Sequence, residues 1–209
     1  MELKTFEIRV TNTKDKNYLN NYIYKYRHWQ NILTLIVINF FKSENRDYKH
    51  FLDYGVIRAC VADTKGDKKK IETIVYIKEK YKNNELYQDL VNVGQELKTH
   101  NLVEIVKRLK KDFSNYFKAL KDYKKNPDKY TGLPKLPKTK KLSQLTNYSI
   151  PLDSYNSVRF KKKNVVGINL NSKMRYFYIG KTDEIEIFKN NAIKSVQVKF
   201  QNNQIYLQF

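Results

Sequence analysis

Nucleophiles, metal ligands and phosphate cradles are sparse in this chain. Its single cysteine, Cys60, excludes an intrachain disulfide and a cysteine-built zinc site. His28, His50 and His100 lie too far apart to form a local ligand pair. No two of the six glycines have the spacing of a dinucleotide- or phosphate-binding loop, and no nucleophile elbow or zinc-protease motif occurs. A two-metal nuclease needs several carboxylates converging on a pair of ions. The nearest cluster, Asp183, Glu184 and Glu186, sits in a β-like segment and reads as a solvated strand end. The residues thus assign no catalytic group, no metal site and no cofactor.

What the chain does carry is positive charge. Its 209 residues hold 41 Lys+Arg against 21 Asp+Glu, a net charge of +20 and a pI near 9.7. Each lysine or arginine that displaces a counterion from a phosphate adds salt-sensitive affinity, so this charge points to nucleic acid. Anionic membrane is the competing polyanion, but neither end carries a lipidation motif. MELKTFEIRV lacks the apolar stretch of a signal peptide. The run from Ile32 to Phe41, broken by Thr34 and Asn39, is well short of the roughly 20 residues of a membrane span. A cytoplasmic chain with no membrane partner is expected. Seventeen tyrosines and eleven phenylalanines supply core, and rings interleaved with lysine and arginine can also stack on bases.

The elements that position these residues follow from periodicity. Residues Leu3 to Val10 alternate as a short strand. Leu19, Tyr22, Ile23, Tyr26, Trp29, Leu33, Ile36 and Phe40 recur at three- and four-residue steps, which predicts a long helix ending near Ser43. A less regular region follows, then a helix from about Lys69 to Lys82. The clearest helix covers about Asn101 to Lys125, with Leu102, Ile105, Val106, Leu109, Phe113, Phe117 and Leu120 on one face and Lys107, Arg108, Lys110, Lys111, Lys118, Lys121, Lys124 and Lys125 on the other. Asn126-Pro127 stops it. TGLPKLPKTKK, with two prolines and four lysines in eleven residues, reads as a basic linker. From Asn126 to Lys163 there are nine Lys+Arg against two acids. Beyond lie strand patterns at Val158/Phe160, VVGINL, RYFYIG and Ile185/Ile187. Alternating Val196-Val198-Phe200 and Ile205-Leu207-Phe209 flank a Gln-Asn-Asn-Gln turn and predict a closing hairpin. One early strand, a helical block and then a run of strands predict an α+β chain, a small β-barrel with the helices inserted after its first strand.

Three segments carry a likeness to a known family. Leu102 to Phe117, LVEIVKRLKKDFSNYF, is similar to the helix of the form "l…l..l..af.nFF" in TnpB, the OrfB protein of insertion sequences, which is related to the type V CRISPR effectors. Gly132-Leu133-Pro134-Lys135 with Lys138, Lys140 and Lys141 resembles its "g.PkfK.k" segment, leading into Gln144-Leu145-Thr146-Asn147. Ile193 to Val198 with Ile205-Tyr206-Leu207 resembles the hairpin before its catalytic domain. Leu136-Pro137 departs from the family by replacing the usual aromatic. Val166 to Leu170 also looks like the first strand of a RuvC nuclease, with Asn169 in the aspartate's place; an amide is no substitute for that ligand, and we treat the likeness as coincidence.

The resemblance implies a wedge-like (OB-like) barrel over 1–12 plus 140–209 and a helical recognition domain over 13–139 ending in the basic Pro/Lys linker. It implies a nucleic-acid-binding lobe that holds guide RNA and reads a short motif beside a double-stranded DNA target, while base pairing reads the sequence. Carried over by position, the motif readers are Tyr54 and Arg58, then Thr99, His100 and Val103, then Thr146 and Asn147; Val103 stands where a polar residue is expected. Phosphate contacts fall to Lys107, Arg108, Lys110, Lys111, Lys135, Lys138, Lys140, Lys141, Lys161, Lys162 and Lys163, which position without specifying. In the family a magnesium-dependent RuvC domain follows the closing hairpin, and this chain ends at Phe209. The expectation is a lobe without catalytic residues, as a fragment, a short form or a split subunit. The alternative is a regulatory or interaction subunit that joins a RuvC-containing chain or a second copy, through an unpaired apolar strand at Ile205 to Phe209.

Overall fold

The computed structural model describes residues 5, 7–140, 148–154, 158–162, 164–170, 173–180, 195–202 and 204–209. It is an α+β chain whose contacts divide it into two units, 1–26 with 141–209, and 27–140. The division falls inside the first helix rather than at residue 13, where the sequence pattern changes.

Within the first unit, a four-stranded antiparallel sheet joins β1 (Glu7–Arg9), β2 (Tyr148–Ser154), β6 (Ser195–Gln201) and β7 (Gln204–Gln208) in the order β1-β7-β6-β2. Ile8 pairs with Leu207 and Val198 with Leu207, so first and last strands of the chain lie side by side. Asn202, at φ 48°, makes the β6–β7 turn as the Asn-Asn signal predicts. A second sheet holds β3 (Val158–Lys162), β4 (Val165–Leu170) and β5 (Lys173–Tyr178) in sequence order. Val10 links the two: its N–H donates to Ile205 O at 2.9 Å, and it forms an isolated bridge with Ile179. No β2–β3 pairing exists among the described residues, so no closed barrel is seen there. β2 was not legible as a strand because Pro151 interrupts it. At a sheet edge, with a register shift after Pro151, the missing N–H is tolerated. The expected strand at Ile185/Ile187 lies outside the described residues.

β7 sits between β6 and β1, so Ile205 to Phe209 is not the unpaired edge on which the interaction-subunit alternative relied. Ile205 and Leu207 are buried in the sheet core with Val196, Val198 and Ile8.

Helix α1 (Thr13–Lys42) runs through both units. Asn12 Oδ1 caps it, accepting from Lys14 N at 2.9 Å and Asp15 N at 3.2 Å. Its first turns hold β5: Tyr178 N donates to Asp15 Oδ2 at 2.9 Å, and the Arg175 guanidinium lies 3.5 Å above the Tyr18 ring. In the second unit α1 meets α2 (Tyr48–Phe51), α3 (Tyr54–Val61), α4 (Ile71–Tyr81), α5 (Glu85–Gln95) and α6 (Thr99–Lys125). α2 and α3 fill the region that the sequence left irregular, and α5 occupies the stretch between the expected helices, for which no element was assigned. The signals for α3 and α5 were the caps rather than long apolar periods: Asp53 accepts from Gly55 N and Val56 N, and Asn84 accepts from Tyr87 N.

The core of this unit forms around Trp29, fully buried, whose indole N–H donates to Leu90 O at 2.7 Å. Gly94, one turn along α5, makes the approach possible. A Cβ there would lie 2.7 Å from Trp29 Nε1 and 2.8 Å from a Val61 methyl. Asp47, between α1 and α2, is tied to α4 by Tyr81 Oη at 2.6 Å, Lys80 Nζ at 2.7 Å and Tyr76 Oη at 3.2 Å.

Candidate nucleic-acid interface

α6 is the backbone of the charged surface. Leu102, Ile105, Val106, Leu109 and Phe113 are buried, and that one-sided burial leaves Lys107, Arg108, Lys110 and Lys111 exposed. Lys107 Nζ lies 3.6 Å from Glu104, a surface pair worth little. Lys110 and Lys111 form no ion pair among the described residues. Lys118 and Lys121, placed on this face by the sequence pattern but not assigned to phosphate, are exposed and extend the same cationic surface.

The segment read as a linker is instead a strap. It has no regular structure, yet Pro134, Leu136 and Pro137 are half-buried against the helices. At its end Lys140 is clamped by backbone: Lys140 N donates to Asn31 Oδ1 at 2.9 Å, and Asn31 Nδ2 donates to Lys140 O at 2.8 Å. Strap, α1 and α6 enclose a groove of about 580 Å³. Gln30 and Thr34 line it from α1, Asp112 and Asn115 from α6, and Lys135, Lys138 and Lys140 from the strap. Burial lowers the Lys140 ammonium below its ordinary pKa, and repulsion from Arg27 and Arg108 lowers it further, against a smaller pull from Asp112. Lys140 thus stands in the repulsive field of two arginines, one from α1 and one from α6.

The expected motif readers are placed unevenly. Tyr54 opens α3 and Arg58 follows one turn later, both exposed, with Lys70 Nζ 5.6 Å above the Tyr54 ring. Thr99 and His100 are exposed in the first turn of α6, and Val103 is half-buried. No hydrogen bond, ion pair or ring contact joins Tyr54 or Arg58 to the α6 group among the described residues. Thr146, Asn147, Lys141 and Lys163 lie outside the described residues, as do Asp183, Glu184 and Glu186. Lys162 belongs to β3.

No family model and no curated protein matches this chain.

The three-stranded sheet adds residues that sequence reasoning missed. Tyr176 and Tyr178 are 41% and 51% exposed on one face of β5, while Phe177 between them is buried. Gly167, paired with Tyr176 on β4, leaves room for that ring; a Cβ there would meet Tyr176 Cε1 at 2.9 Å. Lys161 Nζ lies 4.9 Å from the Tyr176 ring centre, and Arg159 is exposed on the same edge strand. The VVGINL segment is thereby the middle strand of this sheet, and its glycine accommodates a tyrosine. The signal was present in RYFYIG, whose alternation sends two tyrosines to the outer face.

Cys60 is buried, and burial raises its thiol above the ordinary range, leaving an inert side chain. Among the described residues no three of His, Cys, Asp and Glu are grouped to hold a metal ion, and no helix is long and apolar enough to cross a membrane.

Proposed function

We propose that this chain is a nucleic-acid-binding lobe resembling that of a TnpB-like RNA-guided DNA endonuclease. It holds guide RNA and reads a short motif in duplex DNA, with cutting left to a RuvC-type domain. The observation that carries the binding is the groove between the strap, α1 and α6, lined by Lys135, Lys138 and Lys140, where Arg27 and Arg108 repel the Lys140 ammonium. A polyanion neutralises that repulsion and releases its counterions in doing so. Lys135 and Lys138 continue the field along the strap, as phosphate contacts that set position rather than sequence.

The likeness to the TnpB family rests on topology as well. β1 precedes the helices and pairs with β7, the last strand, so the helical unit interrupts the β unit after its first strand. Completing the β unit as a wedge-like barrel belongs to the same reading: Val10 already connects the two sheets, and three residues separate Ser154 from Val158. Tyr54, Arg58, Thr99, His100, Thr146 and Asn147 are the side chains with hydrogen-bonding capacity assigned to the DNA motif.

Binding of RNA and duplex DNA measured by fluorescence anisotropy across a salt series tests the proposal. Affinity falling steeply with salt is the expected result. Arg108→Ala and Lys138→Ala are each expected to reduce the slope by about 0.7 to 0.9, the share of one phosphate deprived of its cation. A wild-type chain with no RNA affinity at about 0.1 M salt overturns the proposal. Replacing Thr146 and Asn147 is expected to change the preference among flanking DNA motifs more than the affinity for RNA.

A further inference from the structure

On the side of α6 away from the strap, a second groove of about 520 Å³ opens between α2 and α6. Its floor is apolar and largely aromatic: Tyr48, Leu52, Phe113 and Phe117. Phe117 is 37% exposed although it lies one turn beyond the buried Phe113. It is held in place from behind, with the Phe41 ring centre at 5.6 Å and the Tyr116 ring centre at 5.4 Å. A large ring packed on its neighbours and yet more than a third exposed can accept a flat partner.

The rim is cationic. Lys49 comes from α2, and Lys110, Lys118 and Lys121 come from α6. None forms an ion pair among the described residues. The one carboxylate in the groove, Asp53, is already committed: it caps α3 and receives Lys70 Nζ at 2.7 and 2.8 Å. Lys110 to Lys121 covers eleven helical steps, about 16 Å at 1.5 Å each. That is several times the roughly 3.4 Å step of a stacked strand.

Resting on the nucleic-acid reading above, we propose that this groove captures an unpaired nucleobase, stacked on Phe117 and Tyr48, while the lysines of the rim hold the phosphates on either side. A flat apolar face with anions along its edges matches an aromatic floor ringed by cations. A base inside a duplex has both faces covered by its stacked neighbours, so the occupant is a single-stranded stretch, of RNA or of displaced DNA. Sequence-tolerant stacking combined with a lysine track is how single strands are held without base-edge readout.

The test is anisotropy with four probes: oligouridylate, oligothymidylate, a single strand made abasic, and a blunt duplex. Phe117→Leu keeps the packing on Phe41 and removes the stacking face. It is expected to weaken the two base-bearing single strands about tenfold, and to leave the abasic strand and duplex within about twofold. Phe117→Tyr is expected to retain wild-type binding. Lys118→Ala with Lys121→Ala is expected to weaken every probe and flatten its salt dependence. Unchanged thermal unfolding of Phe117→Leu confirms that the comparison is between folded proteins. Uridylate bound more tightly than thymidylate identifies RNA as the source, and the reverse identifies DNA. The base-capture proposal is overturned if Phe117→Leu leaves single-strand affinity unchanged, if it weakens duplex and single strand equally, or if an acidic peptide displaces the strands while Phe117→Leu has no effect on them. Wild-type protein that binds none of the probes at about 0.1 M salt would instead overturn the nucleic-acid reading itself.

Discussion

The Asp47 carboxylate accepts from Tyr81, Lys80 and Tyr76 while sitting 7% exposed between α1 and α2. Burial acts to raise its pKa, but the hydrogen bonds from Lys80 and Tyr81, the Lys80 charge and the Tyr76 hydroxyl outweigh it and hold the carboxyl below its ordinary 3.8. A carboxylate with a lowered folded pKa contributes stability above the unfolded value, and that contribution is lost as pH falls through the folded one. Thermal unfolding followed by helix circular dichroism is expected to be flat with respect to this group near neutrality and to lose stability below about pH 4. Asp47→Asn is expected to cost about 1 to 3 kcal/mol at neutral pH, because it leaves Lys80 and Tyr81 poorly satisfied, and to remove that part of the acid dependence. An unaltered pH profile in Asp47→Asn would show that the network does not couple charge to folding. Lys140 carries the opposite sign. Its lowered pKa makes the folded state the poorer proton binder, so its charge opposes folding at neutral pH, and a bound anion relieves the penalty.

At the scale of elements, the strap is the segment whose behaviour sequence reasoning misjudged. Two prolines and four lysines predict an irregular path, and the path is irregular. Periodicity does not register that an irregular segment can lie in a groove between two helices, because the contacts are made by Asn31, more than a hundred residues earlier. Asn31→Ala deletes both bonds to Lys140 and is expected to release the strap. Limited trypsin digestion should then cut after Lys135 and Lys138 several times faster than in wild-type protein, with helix content retained. Equal cleavage rates would mean that Pro134, Leu136 and Pro137 hold the strap unaided. α6, by contrast, was legible almost to the residue: Asn101 to Lys125 expected, Thr99–Lys125 found. Its apolar stripe is long, uninterrupted and stopped by proline.

For the whole molecule, the net charge of +20 spread over two units makes stability and ligand binding inseparable. A polyanion that binds only the folded chain stabilises it by mass action, by about 2.7 kcal/mol at a hundred times Kd. Heparin or single-stranded RNA is accordingly expected to raise the melting temperature at about 0.05 M salt, and about 0.5 M salt is expected to abolish the rise. A melting temperature indifferent to either polyanion would mean that the positive surface has no folded-state ligand of this kind.

Composition, charge, the helices α1, α4 and α6 and the β6–β7 hairpin follow from local pattern, since helical and strand periods and an Asn-Asn turn are written in adjacent residues. Sequence reasoning placed cations along α6 and the strap, but it had no means of ranking them. Tertiary structure decided which groups share a field. Lys140 feels Arg27 and Arg108 because α1, α6 and the strap pack together, and the Tyr176 ring comes close to β4 because Gly167 is opposite it on the neighbouring strand. The closing strand, which looked like a free apolar edge, is covered by β1 from the other end of the chain. Such proximities depend on pairings across most of the chain length, where no local period carries information.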